Sequence, residues 1–165
     1  MLYSDRRRFL AGLAALTTTA ACGFSPVYGP NGNGRALRGA IRADDPVSRG
    51  DFQFVAAFED LLGRPTAARY ALAYTITQTE VEAGNIQNIG ATRVQLFGTL
   101  DFVVTDMGTG TEVASGQVAN NTTYSTTSTQ FATMTAAEDA ELRLMRILAE
   151  ALATRLYTEP GLTAA

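Results

Sequence analysis

The sequence predicts an α+β domain, with two helices packed on one face of a small, mostly antiparallel four-stranded sheet. Three patterns carry this two-layer sandwich. Apolar residues recur at helical spacing over two separate segments, near 51–62 and 136–157. Between them, three segments alternate bulky with small or polar side chains at a period of two. The order strand, helix, three strands, helix lets both apolar stripes bury against one sheet face and leaves the other face free.

Ala36 to Ala43 reads as the first strand, with Leu37 and Ile41 on different sides of an imperfect alternation. Ser48 then offers a helix cap, and Asp51, three residues on, completes a capping box. Phe54, Phe58, Leu61 and Leu62 form the apolar stripe of this helix, bordered by Val55, until Gly63 and Pro65 end it. Core packing is the reading of that stripe, ahead of a ligand pocket. In the next strand Tyr70, Leu72, Tyr74 and Ile76 share one face, opposite Ala71, Ala73, Thr75 and Thr77. Ala83 to Thr92 is polar and glycine-punctuated, and reads as a loop. Val94, Leu96, Leu100, Phe102 and Val104 share a face with Gly98, while Arg93, Gln95, Thr99 and Asp101 point away. The glycines of Asp106 to Thr111 make a turn, so the strand from Glu112 to Tyr124 pairs back as a hairpin, with Ala114, Gly116 and Val118 as a weaker buried face. The Thr/Asn/Ser-rich run from Asn120 to Gln130 suits an exposed strand that then leaves the sheet. The last helix is expected from about Ala136 to Tyr157, opened by Thr135 or a neighbour. Leu144, Met145, Leu148, Leu152 and Leu156 lie on its apolar face, and Glu159-Pro160-Gly161 stops it.

The amino terminus has a different character. Arg6, Arg7 and Arg8 form a positive head, Phe9 to Leu16 is a short apolar segment, and Thr19-Ala20-Ala21 supplies small residues before Cys22. This is the three-part layout of a bacterial export signal. The apolar part falls well short of the roughly 20 residues that span a bilayer, so it is expected to be cut off. Cys22, the only cysteine, then becomes the first residue of a lipoprotein and carries its acyl chains, which hold the chain on the membrane. The alternative is a plain secretory signal with a leftover thiol; the placement of a lone cysteine at this boundary favours the lipid anchor. Thr19 stands where the usual lipobox has leucine. Gly23, rather than aspartate, follows the cysteine, which favours sorting to the outer membrane. The head also looks like a twin-arginine signal, but Asp5 and Ala11 depart from that pattern, which favours an ordinary basic head for the general secretion route. The expected organisation is a signal peptide over 1–21, a lipidated Gly/Pro/Asn-rich tether over 22–35, one domain over 36–160 and a tail over 161–165. Phe24, Val27 and Tyr28 in the tether are candidates for docking.

Composition narrows the function. The full chain has 13 basic and 16 acidic residues, and removing residues 1–21 with Arg6, Arg7, Arg8 and Asp5 leaves 10 and 15, a net charge of −5 on 144 residues. Such a surface repels nucleic acid, so none is expected as a partner. All the basic residues are arginines, a GC-rich genome being the plain reason. No histidine is present, which removes Ser-His-Asp and Cys-His catalysis and the usual zinc sites. A carboxylate pair or a serine without its customary base remains for an enzyme, and neither Asp44-Asp45 nor Glu80 with Glu82 has a recognisable partner. No catalytic activity, cofactor or metal is expected.

Three features of the mature chain resemble the outer-membrane lipopolysaccharide-assembly lipoprotein family, LptE. The run Cys22-Gly23-Phe24-Ser25-Pro26-Val27-Tyr28-Gly29 is similar to the mature start of many members. The order of elements is that of the family's two-helix, four-stranded sandwich. Tyr124, Phe131-Ala132, Asp139-Ala140, Arg143 and Leu148-Ala149 resemble its closing signature. The resemblance implies a lipid-anchored plug on the periplasmic side of the outer membrane, inside the large β-barrel LptD, which inserts lipopolysaccharide into the outer leaflet. It also implies a role in assembling that barrel and contact with the glycolipid. Such contact needs cations for phosphates, and the candidates are Arg64, Arg69 and Arg93, the last at a strand start beside the expected loop. Ordinary surface arginines or ion pairs are the alternative at each. A Thr/Asn/Ser/Gln-rich exterior suits a polar, wet barrel lumen. A second reading is a stand-alone envelope lipoprotein that carries an amphiphile between helices and sheet, in a pocket near Phe54, Phe58 and Leu148.

Cys22→Ala is expected to leave an unlipidated precursor or a mislocalised domain with its fold intact. Mass measurement of the mature first residue, with membrane fractionation in high salt, checks this. A natural product that retains residues 1–21 and carries no acyl mass on Cys22 would sink the anchor.

Overall fold

Ser48 opens the first long helix by the reciprocal bonds its spacing to Asp51 allows. Its hydroxyl oxygen accepts from the Asp51 N–H at 3.0 Å, while Asp51 Oδ2 accepts from the Ser48 N–H at 3.0 Å. Two orphan donors are thereby satisfied, a contribution of about 1 kcal/mol for the hydroxyl cap. The computed structural model describes residues 27–29, 32–86, 90–126 and 129–162. Their elements run α1 (Asn33–Ala36), β1 (Ile41–Ala43), α2 (Arg49–Leu62), β2 (Tyr70–Ile86), β3 (Gly90–Asp106), β4 (Glu112–Ser125) and α3 (Gln130–Tyr157), closed by a 3-10 turn over Pro160–Leu162. Cys22 and Phe24 lie outside the described residues.

The sheet has the order β1-β2-β3-β4. β1 pairs parallel with β2, Ile41 opposite Tyr70, and the other pairings are antiparallel. Register places Leu72 opposite Val104 and Val104 opposite Ala114, then Ile76 opposite Leu100 and Leu100 opposite Val118. These rows form the inner face. Phe54, Phe58 and Leu62 of α2 and Leu144, Met145, Leu148, Leu152 and Leu156 of α3 are buried on it, as their spacing predicts. The Phe54 ring lies 4.9 Å from that of Tyr74 and stacks on Phe58 at 5.9 Å. Gly98 sits under α3: a Cβ there would lie 2.9 Å from Leu144 Cδ2 and 3.0 Å from Leu148 Cδ1. Glycine lets the helix approach β3 this closely.

Four expectations are corrected. The first strand is only Ile41–Ala43; Leu37 lies in the turn after α1, free of strand alternation, so Leu37 and Ile41 are both buried rather than on different sides. The segment 83–92 is mostly strand, since β2 runs to Ile86 and β3 starts at Gly90, with residues 87–89 outside the description. Backbone pairing extends this hairpin beyond the core, where no apolar face reports it. Gly84 read as a loop signal because it takes φ +69 at a break in the ladder, where the Thr92 hydroxyl donates to its carbonyl. The last helix starts at Gln130, capped by Thr129, whose hydroxyl oxygen accepts from the Ala132 N–H at 3.3 Å. Its first turns present Phe131 and Met134 to solvent, so no inward stripe marks them. Finally, Leu162, placed in a tail, is 1 % exposed and belongs to the core.

Gly161 holds that closing turn down. A Cβ on it would collide with the Val113 carbonyl oxygen, a backbone atom that cannot rotate away. Gly161→Ala, although Gly161 is exposed, is expected to free the turn and cost about 1.5–3 kcal/mol, the burial of one large apolar side chain. Gly98→Ala meets side-chain methyls that can shift and is expected to cost less. Urea denaturation of both variants checks the order, and a larger loss at Gly98 would contradict it.

Candidate functional site

The helices leave the outer face of the sheet uncovered. Register assembles it in rows: Thr75 with Asp101 and Gln117, Thr77 with Thr99 and Ala119, Thr79 with Phe97 and Asn121, and Val81 with Gln95 and Thr123. Across three long strands these rows carry one charge, Asp101, and that carboxylate is engaged by Gln117 Nε2 at 2.7 Å. Arg93 closes the face at its far end, opposite Ala83 and Ser125. Phe97 and Val103 are each 38 % exposed there. β-branched and amide side chains form this face because a pleated strand tolerates them without burial. The result is a broad surface that is polar, nearly uncharged and low in relief.

The helical side differs. Glu138, Asp139 and Glu150 are exposed on α3 and Asp60 on α2. Between the helices, Phe52, Ala56, Leu61, Leu142 and Arg146 line a surface groove of about 360 Å³. The space between helices and sheet, where an amphiphile pocket would lie, is filled: Phe54, Phe58 and Leu148 are all at most 2 % exposed. Among the described residues, no group of three acidic, histidine or cysteine side chains is placed to hold a metal. No described helix is long and apolar enough to cross a membrane, which says nothing of β-barrels. Asp44, Asp45 and Asp51 border a recess with Tyr74. Burial first, then the charges of Asp51, Asp44 and Asp45, push the Tyr74 hydroxyl up to about 12.

The three candidate arginines are not brought together. Arg64 pairs with Glu59 at 3.6 Å beside a recess that also holds Asp44, Asp45 and Asp60, so acids outnumber bases there. Arg69 pairs with Asp106 at 3.3 Å, and its guanidinium sits 5.1 Å from the Tyr70 ring centroid. Arg93 stands at the opposite end of β2 and β3, about 40 Å away by strand length. It is exposed and has no acidic partner among the described residues.

Sequence reasoning missed the way the amino-terminal segment folds back. The Tyr28 and Tyr157 hydroxyls are 3.0 Å apart, their rings meet edge-on at 5.7 Å, and Asn33 Nδ2 donates to the Tyr157 carbonyl at 3.0 Å. Burial first, then the bond to Tyr28, raises the Tyr157 hydroxyl well above its ordinary value. Tyr28 was a docking candidate, but nothing local in the sequence marks its partner.

No family model matches the chain, and no curated protein matches it. Solved structures do. A candidate lipoprotein of Caulobacter crescentus superposes with a TM-score of 0.65 at 22 % identity, over 76 % of this chain and 93 % of that one. The rare lipoprotein B of Shewanella oneidensis gives 0.55 at 13 % identity, over 73 % and 94 %. An uncharacterised lipoprotein B of Nitrosomonas europaea gives 0.53 at 10 % identity, over 74 % and 84 %. At these identities the likeness is one of fold: this chain has the two-layer sandwich of those proteins.

Asp106 links the Arg69 candidate to the fold. The Gly108 N–H at 2.8 Å holds its carboxyl below the usual carboxylate range; the Thr109 N–H at 3.2 Å and Arg69 add to this against partial desolvation. A depressed acid stabilises the fold above its unfolded value and loses that contribution as pH falls through the folded one. Asp106→Asn is therefore expected to flatten the loss of stability on acidification below about pH 4, read by denaturant midpoints across the acid range. An unchanged slope would show that Asp106 does not contribute it.

Proposed function

We propose that the chain is an outer-membrane lipoprotein, anchored on the periplasmic side through acylated Cys22, that seats its outer sheet face within the lumen of the β-barrel LptD. In this reading it has no catalytic role. It supports assembly of the barrel and insertion of lipopolysaccharide into the outer leaflet. One observation carries it: three long strands present a face of Thr, Ser, Asn and Gln with a single, already engaged carboxylate. A barrel lumen is polar and wet. Hydroxyls and amides exchange hydrogen bonds with such a wall at little cost, whereas unpaired charges must be desolvated. Support also comes from Cys22 behind an export-type segment and from the shared fold of proteins named as lipoproteins. Within this reading Arg93 is the candidate for lipopolysaccharide phosphate, since Arg64 and Arg69 are committed to Glu59 and Asp106.

Affinity purification from a detergent extract is expected to recover a stoichiometric large barrel with the chain. Thr99→Arg, at the middle of the outer face between Thr77 and Ala119, is expected to lower that recovery about tenfold or more, as a misfit of a few kcal/mol would. Thr154→Arg, on the exposed side of α3, should leave it unchanged. Recovery of the chain alone, with the barrel maturing normally in its absence, would refute the proposal.

A further inference from the structure

The chain does not leave the domain at the start of its first strand. The Gly34 N–H donates to the Val27 carbonyl at 2.9 Å, Tyr28 meets Tyr157, and Asn33 bonds the carbonyl of the same Tyr157. A Cβ on Gly34 would press within 2.8–3.0 Å of Val27 and Tyr28, so glycine permits the fold-back. The segment is thus strapped to the carboxyl end of α3. From Val27 back to Cys22 only five steps of chain remain, at most about 18 Å when extended. The 17 residues of β2 run about 55 Å in the other direction. A lipid on Cys22 therefore holds one end of an elongated domain, not a domain on a long leash.

That end carries most of the domain's arginines. Four are matched: Arg42 to Asp45 at 3.7 Å, Arg64 to Glu59 at 3.6 Å, Arg69 to Asp106 at 3.3 Å and Arg155 to Glu159 at 2.7 Å. Arg35 and Arg38, next to the strap, are exposed and have no ion pair among the described residues. Asp44, Asp45, Asp60 and Glu112 are the exposed carboxylates of this end, and Asp44, Asp45 and Asp60 share the recess of Arg42 and Arg64, which Arg35 and Arg38 do not line. The far end carries Glu80 and Glu82 on β2 and Glu138 and Asp139 at the start of α3. Laid flat on its helical side, the domain would present Glu138 and Asp139 already paired with Arg49 and Arg143, together with Arg146 and Glu150, and so no run of unpaired arginines.

We propose that, before it engages the barrel, the strap end stands on the anionic headgroup layer that holds Cys22, with Arg35 and Arg38 against lipid phosphates and the β2–β3 hairpin directed away. This rests on the lipid anchor proposed above. Each arginine near an anionic leaflet gains from its surface potential, and that gain falls off with added salt.

The test uses the full chain, matured in an exporting bacterium, with a fluorescent non-canonical residue at exposed Thr66 or exposed Glu82. The protein is reconstituted in phosphatidylcholine–phosphatidylglycerol vesicles bearing a headgroup quencher. If mass measurement finds Cys22 unacylated, its thiol is coupled to a maleimide lipid, so the anchor reading and the orientation fail separately. Quenching is expected at Thr66 and not at Glu82. Equal quenching, or the reverse, overturns the orientation. Arg35→Gln with Arg38→Gln is expected to lower the Thr66 signal, as are phosphatidylcholine-only vesicles and high salt with the natural sequence. A Thr66 signal indifferent to all three overturns the role of the two arginines.

Discussion

The close seat of α3 on β3 governs the rest of the structure. Gly98 removes the side chain that would hold the helix off, and Leu144 and Leu148 settle into the space. With α3 that near, its whole leucine stripe reaches the inner face, and α2 completes the layer through Phe54 and Phe58. Interiors are packed to crystal-like density, so a sheet closed this tightly on one side has no room for a large guest. The apolar content of the chain is therefore spent on one face. Whatever this protein meets, it meets with its other sheet face, its helix backs or its two ends.

Those surfaces are chemically distinct, and the difference follows from register. A period of two sends Leu72, Ile76, Leu100 and Phe102 inward and must send Ala73, Thr75, Thr77, Thr99 and Asp101 outward. Solvent alone would accept charge at the outward positions, and on the helices it does, with Glu138, Asp139 and Glu150 exposed. The contrast within one chain, between helix backs rich in both signs of charge and a nearly neutral sheet, is what singles out the sheet as the candidate contact surface.

The parts legible in the sequence are those whose burial is periodic. Phe54, Phe58 and Leu62 mark α2, Leu144 to Leu156 mark α3, and alternating bulk marks the inner halves of the strands. Elements without an inward stripe escape such reading. The hairpin beyond Glu82 is held by backbone pairing, and Gln130 to Thr135 by a cap. The single-turn α1 and the short parallel β1 depend on where Leu37 and Ile41 meet the core. The strap is illegible for another reason, since Tyr28 and Tyr157 are 129 positions apart and their contact is purely tertiary. Of the arginines, Arg93 was expected at a strand start but lies three residues into β3, which begins at Gly90, and the sequence could not foresee that Arg64 and Arg69 already have acidic partners. It also passed over Arg35 and Arg38, because a tether gives no reason to single out its charges.

In the reading proposed above, an anchored protein in a confined space needs a polarity along its length as well as across it. Across the sheet, polarity comes from alternation. Along the sheet it comes from unequal ends: one is clamped by Tyr28, Asn33 and Tyr157, with Tyr28 six steps from Cys22, and the other is a strand pair that continues past the last core row at Val94 and Glu82. A flexible leash would let the domain sample every orientation, and only a fraction would present the neutral face usefully. Pinning the chain at Tyr157 removes most of that freedom before any partner is met, which lowers the ordering cost that association must overcome. The strap and the neutral face thus belong to one arrangement, in which the first fixes where the domain stands and the second fixes what it can touch.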